Sequence, residues 1–301
     1  MENDNFTSLP ATRLAPPAKT VRKSVKVKDV VAYVIIYLFL ILVCFTCVFP
    51  FFWMITSSLK YAHEVNSFTL RIFPESPQWS NYAEVFRQSN NLFRGVLNTL
   101  IVEVATIPVC VFISGMSAFA FSKMELKHKD AHLMIQLSAL MIPYACLMLP
   151  LYRAYNTLNL VDTLWPLILP SLFGGVSMMF FFVQYQRGIP SAIFEAAKVD
   201  GAGYMRQYCS IMLPLMGPAI AAQVIFMFVG TWNDYLAPSI YITSANVRTL
   251  QIMVRSLASD TSLPKPIAFA GAAVACLPLY VIYIVFQRFF IEGLAVGGVK
   301  G

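Results

Sequence analysis

The sequence predicts an all-α polytopic membrane protein with six transmembrane helices in an N-in/C-in arrangement. Three observations predict it. Of the 301 residues 58% are hydrophobic and only 12% are charged, against roughly 25% charged in a soluble domain. The apolar residues gather in six blocks, each near the about 20 residues that cross a bilayer as a helix. The basic residues are biased as well. Fourteen of the 22 Lys and Arg fall on one side of the resulting topology, and the richer side is expected to be cytoplasmic.

Each element follows in order. Residues 1–29 read as a disordered, basic cytoplasmic tail, carrying Arg13, Lys19, Arg22, Lys23, Lys26 and Lys28. The apolar run beginning near Val30 is too long for a cleavable signal. A membrane domain is expected over 30–290, with spans at about 30–56, 95–121, 131–152, 164–185, 215–238 and 267–290. The outer linker Ser57–Arg94 is polar and aromatic, with a short surface helix over Ser80–Arg87. Lys123, Lys127 and Lys129 mark a cytoplasmic turn after the second span. Pro143 and Pro150 predict a bent third span, because proline frees carbonyls that the bundle interior must satisfy. Arg187 ends the fourth span and leads into a polar stretch, 195–214, which cannot itself cross a membrane. A second long outer loop, Ser239–Pro266, precedes the sixth span, and 291–301 form a cytoplasmic tail.

Several function classes are excluded by what is missing. The net charge of +7 is not carried by a folded basic domain, so nucleic acid is not an expected partner. There is no phosphate-binding G-x-x-x-x-G-K-[ST] loop, nucleophile elbow or H-E-x-x-H motif, so no catalytic residues, metal or cofactor are expected in this chain. Of six cysteines, Cys44 and Cys47 have redox spacing, but they stand in an apolar span without nearby histidine or carboxylate and read as small core residues. His128 and His132 lie four apart in a charged turn, where a solvated loop is the expected state.

The stretch 195–214 carries the positive signal. It runs Glu195-Ala196-Ala197, three residues, Gly201, nine residues, then Ile211-x-Leu213-Pro214. Alanines favour helix and let another backbone approach. Gly201 permits a reversal that a Cβ hinders, Glu195 and Asp200 offer charge beside it, and Pro214 is placed to start the next helix. A plain surface helix between spans is the alternative. The spacing resembles the EAA motif of permease subunits of binding-protein-dependent ABC importers, matched at every signature position. The tail from Phe289 is similar to the end of MalG-like sugar permeases, as are Asn81-Tyr82 with Phe86, Asn98-Thr99 and Trp232-Asn233-Asp234.

That resemblance covers nearly all of the chain after residue 30 and implies a type I importer permease fold. It implies that 195–214 docks in a cleft on an ATPase subunit, and that Glu292, Gly293, Gly297, Gly298 and Lys300 reach the ATPase dimer interface. A frayed glycine-rich terminus is the alternative for the tail. It implies further partners: a second homologous permease, two ATPase subunits that bind the ATP and Mg, and an extracytoplasmic solute-binding protein. The setting is a bacterial or archaeal cell membrane. Glu103, Gln136, Gln184, Gln223, Asn233 and Asp234 are polar residues within the spans, where a carboxylate normally faces the bundle interior. Glu103, Asn233 and Asp234 are candidates for the substrate path, with Tyr144, Trp232 and Tyr235 as rings to stack on sugars; helix packing is the alternative for each. Glu103 departs from the small or apolar residue expected there, which suggests contact with cargo or with a basic group of the second permease. A sugar or oligosaccharide is the favoured cargo, since no Arg or Lys cluster stands in the spans for phosphate. Glycerol phosphate, a polyamine or another small solute stays open, as does an ion-driven secondary transporter, which should show internal repeats.

Overall fold

A computed structural model describes residues 27–69, 71–88 and 92–298, and among these there is no strand. The chain divides into two compact units, Met1–Phe51 and Phe52–Gly301. The first holds most of α1 (Val27–Ser58). Its side chains from Tyr33 to Phe45 are apolar and exposed in nearly every turn. A helix apolar all round is one that lipid or a partner covers.

The second unit begins with the last turn of α1, followed by α2 (Ala62–Asn66) and α3 (Ser80–Gln88). Asn81 Nδ2 donates to the carbonyls of Ser58 and Lys60 at 2.8 and 3.0 Å, and the Tyr82 hydroxyl meets Ser58 Oγ at 2.7 Å. This is how the Asn81-Tyr82 pair satisfies the carbonyl ends left open by α1. The long α4 (Leu92–Lys123) then runs through the whole unit, with Pro108 inside it. α5 (Lys129–Ser138) and α6 (Tyr144–Thr157) meet at an 89° bend. α7 (Trp165–Ile168) continues through a 3₁₀ turn into α8 (Val176–Arg187). α9 (Ala192–Val199), α10 (Tyr204–Gln207) and α11 (Leu213–Leu215) cover the polar stretch, with a π-helical segment at Tyr208–Met212. α12 (Gly217–Trp232), α13 (Leu236–Tyr241), α14 (Leu250–Ser259) and α15 (Lys265–Gly298) complete the chain.

Among the described residues four helices are long and apolar enough to cross a membrane, and up to six if each of two bent pairs is one span. The bend expected in the third span is therefore a break, at Ile142–Pro143, where Pro143 takes extended backbone that cannot continue a helix. The stretch expected as the fifth span, 215–238, is interrupted twice. The chain turns by 80° between Leu215 and Gly217, and α12 stops at Trp232. Pro214 sits inside the short α11, so it is Pro218 that stands at the start of the long helix. The last helix carries a candidate span over Lys265–Gln287, near the expected sixth span, and continues beyond it to Gly298.

The packing has two main centres. One gathers Ile107, Val111 and Phe119 of α4 with Met179 and Phe182 of α8 and Met212 beyond α10. The other gathers Leu92, Trp232, Leu250, Met253 and Ile267 from α4, α12, α14 and α15. α4 thus joins both ends of the unit; its 32 residues make a rod of about 48 Å at 1.5 Å per residue.

Candidate functional site

The polar stretch folds as two short helices around a glycine. Gly201 has φ of +77°, and nothing lies within 4 Å of where a Cβ would stand. The glycine is therefore required by its left-handed backbone and not by crowding. The turn is closed by Ala202 N donating to the Ala197 carbonyl at 2.9 Å and by Gln207 Nε2 donating to the Ala202 carbonyl at 2.7 Å. Glu195, Ala196, Lys198, Val199, Asp200 and Gly201 are exposed, whereas Ala197 is buried. Of the other predicted residues, Ile211 and Leu213 are half-buried against the core and Pro214 is exposed. Val199 is 88% exposed, with Tyr204 and Met205 beside the turn at 51% and 58%. The outer side of this elbow is thus a small, partly apolar surface with a carboxylate at each end of its first helix.

Beneath the elbow is a socket that motif spacing did not reveal. Phe194 packs against Phe119 of α4 with centroids 5.6 Å apart. Tyr208 lies against both Phe112 and Phe119, at 5.4 and 5.9 Å, and its hydroxyl donates to the Phe112 carbonyl at 2.8 Å. Gly115 makes room for that hydroxyl, since a Cβ there would stand 2.5 Å from it. The fully buried Gln186 ties three elements together. Its Oε1 accepts from Ser122 at 2.7 Å, and its Nε2 lies 3.0 Å from both the Gly115 carbonyl and Met216 Sδ. Lys123 Nζ donates to the Ile189 carbonyl at 2.5 Å, closing the link from α4 to the segment that enters the elbow. The signal that could have pointed to it is Phe194 just before the polar stretch and Tyr208 within it, two large aromatics that must bury somewhere.

At the opposite end of α4 the structure sorts the residues expected along a substrate path. Tyr144 and Asp234 line one cavity, together with Thr99 and Thr249. Trp232 does not join them. It is buried in the second packing centre, stacked on Phe228 at 5.3 Å with Nε1 donating to the Ala275 carbonyl at 3.0 Å. Asn233 caps α12 through the Val229 carbonyl at 2.8 Å, and Tyr235 lines a separate outer groove with Arg248 and Arg255. Glu103 is 2% exposed on α4 and neither carboxylate oxygen has a protein partner. Thr99 and Asn98 fasten α4 to the loop before α14. Asn98 Nδ2 donates to the Asn246 and Arg248 carbonyls at 3.0 and 2.9 Å, and Leu250 N donates to Thr99 Oγ1 at 3.0 Å.

Among the described residues one cluster has metal-ligand chemistry, His63, Glu64 and Glu75. Arg71 already pairs with Glu75 there, and Lys60 stands close to Glu64. Of the tail residues, Glu292, Gly293, Gly297 and Gly298 fall on the last turns of α15, and Lys300 lies outside the described residues.

The fold is thus a bundle of membrane-length helices, broken twice, with an exposed helical elbow seated on the 32-residue α4. The chain belongs to the family of binding-protein-dependent transport system inner membrane components, which matches it over residues 15–296. It is 32% identical to the arabinooligosaccharides transport system permease protein AraQ of Halalkalibacterium halodurans, over 86% of this chain and 93% of that one. It is also 32% identical to AraQ of Bacillus subtilis, over 88% and 94%. A probable starch degradation products transport system permease protein, AmyC of Thermoanaerobacterium thermosulfurigenes, is 30% identical over 83% and 91%. In fold it is similar to a chain from the crystal structure of a bacterial ABC transporter involved in the import of the acidic polysaccharide alginate. The TM-score is 0.80 at 17% identity, covering 88% of this chain and 98% of that one.

Proposed function

We propose that this chain is one permease subunit of an ATP-driven importer for a sugar or oligosaccharide, and that its elbow at 195–214 receives the work of a separate ATPase. The observation that carries the reading is the elbow itself. Its exposed side is free within the chain, and its buried side grips α4 through Phe194 and Tyr208. A push on the elbow is therefore delivered to a rod whose other end forms the cavity wall at Thr99 and Val102. Rigid-body rearrangement of such packed helices is a known route to alternating access. The permease names of the similar chains support a non-catalytic subunit and a carbohydrate cargo.

In this reading the six spans run N-in/C-in, the third being the bent α5–α6 pair and the fifth carried by α12 after the turn at Met216, and the elbow lies on the cytoplasmic side where ATP is. The last turns of α15, with Lys300 beyond them, are a second contact with the ATPase dimer, which holds the ATP and Mg. A second permease completes the path, and a solute-binding protein delivers cargo to the outer loops. Of the path candidates, Tyr144 and Asp234 are retained because they share a cavity; Trp232, Asn233 and Tyr235 hold the surrounding scaffold.

The test uses the whole importer in cells. Glu195→Lys and Gly201→Asp should abolish sugar uptake while the protein still reaches the membrane in normal amount. Gly201→Asp also strains left-handed backbone, although nothing crowds the position, so Glu195→Lys, which leaves the turn intact, separates lost coupling from a strained fold. Normal uptake in both variants, with the ATPase still co-purifying, would sink the coupling assignment.

A further inference from the structure

The outer part of α4, the start of α6, the 3₁₀ turn after α7 and the segment from Thr231 to Thr249 enclose a cavity of about 360 Å³. Six of its lining side chains carry a hydroxyl or carboxyl: Thr99, Tyr144, Ser171, Thr231, Asp234 and Thr249. The remainder are aliphatic or proline, and no Lys, Arg or His is among the described lining residues. Two facts about individual groups sharpen this composition. The hydroxyl of Thr249 is buried and has no protein partner, a condition that costs free energy unless a ligand or water meets it. Asp234 receives a 3.3 Å hydrogen bond from Ala237 N through Oδ1, and the structure gives it no cationic partner.

Chemistry then narrows the occupant. Hydroxyls both donate and accept, and an ionised carboxylate accepts only, so a ligand rich in hydroxyl donors suits the wall. The proline and aliphatic surfaces suit the C–H faces of a sugar ring. A second carboxylate brought in by the ligand would meet Asp234 at short range, in a site partly removed from water and with no cation to offset it. The size sits at the low end of the roughly 300–1,000 Å³ of ligand pockets, which leaves room for one or two sugar units at a time. We infer that this cavity is a subsite for an uncharged glycosyl unit, and that Asp234 makes the path discriminate against uronic-acid oligosaccharides. The inference rests on reading the chain as a sugar-importer permease.

The test separates that reading from the subsite. The complete permease–ATPase complex is placed in nanodiscs without binding protein. Saturation-transfer NMR then follows arabinotriose, maltotriose and trigalacturonate at millimolar concentration. The wild type should show transfer to one or two rings of a neutral trisaccharide and none to trigalacturonate. Asp234→Asn should weaken neutral-sugar transfer at least about fivefold. In the same preparations, the melting temperature of the complex and the amount of ATPase co-purifying should match wild type, which shows the variant to be folded and assembled. Tyr144→Phe, which keeps the ring, is the second variant and should weaken transfer less. The inference is overturned if no neutral sugar binds the wild type, if trigalacturonate binds as well as the neutral sugars, or if Asp234→Asn changes nothing. A complex whose ATP hydrolysis never responds to a loaded binding protein would instead defeat the underlying reading.

Discussion

The contact between Tyr208 and Gly115 decides whether the elbow is firmly seated. A methyl group at 115 would stand 2.5 Å from the Tyr208 hydroxyl, so the ring must move and the bond to the Phe112 carbonyl is lost. Overpacking of this kind costs about 1–3 kcal/mol. Gly115→Ala is therefore expected to lower thermal stability in detergent and to cut uptake. Adding Tyr208→Phe removes the clashing oxygen and should recover part of both, in a double-mutant cycle read by melting temperature and uptake. No recovery would mean that the two residues are not coupled. Gln186 makes a parallel case. Replacing it with Leu removes the amide donor from the buried Gly115 carbonyl, at about 1–3 kcal/mol, and leaves the half-buried Ser122 hydroxyl only its 3.4 Å bond to the Phe119 carbonyl. The melting temperature checks this, and a change within error would contradict the bonding described.

Between elements, the junction of α6, α7 and α13 depends on one exposed carboxylate. Asp162, in the left-handed region at φ of 66°, accepts from the Ser244 hydroxyl. It also accepts from the backbone N–H groups of Ser244 and Thr243 at 2.7 and 2.9 Å. The Ser244 hydroxyl first, and then these N–H groups, hold its carboxyl below the usual carboxylate range. A depressed folded value means that the stabilisation is complete above the unfolded pKa of about 3.9 and is lost as pH falls through the folded value. Asp162→Asn should lower the melting temperature at pH 7, and its gap to wild type should close in strong acid. A gap that is the same at both pH values would show that ionisation does not matter there. The long α4 supplies the connection between elements. It is held at one end by Asn98 and Thr99 and at the other by Lys123 and the aromatic socket.

At the level of the whole molecule, much apolar surface is left uncovered by the chain itself. Beyond α1, Met141 is 83% exposed beside the break at Ile142–Pro143, and Phe173 is 83% exposed where the 3₁₀ turn before α8 ends. Lipid covers a continuous apolar helix well, but a break also exposes backbone that protein or water must satisfy. A second permease packed against these breaks should therefore raise the amount of this chain in the membrane. Expression with and without that subunit, followed by immunoblotting of the membrane fraction, tests this. Equal amounts would show that lipid suffices.

Composition and spacing determined the class of this protein. Apolar blocks of bilayer length leave few alternatives to spanning helices, and the pattern from Glu195 to Pro214 was legible because a left-handed turn needs glycine at 201. Individual prolines were legible as disturbances, since proline has no backbone N–H to donate inside a helix. Whether the chain bends or breaks depends on what lies alongside, and only the fold decided that Pro143 and Asn233 mark breaks. The same limit explains the path residues. Trp232 and Asp234 are two residues apart, yet one is stacked in the core and the other lines a cavity. The socket for the elbow was hidden for the same reason, because Phe119, Gly115 and Gln186 lie from about 20 to more than 90 residues from Tyr208 in the chain. Local backbone requirements are written in neighbouring residues, whereas burial is settled by partners brought together from elsewhere in the chain.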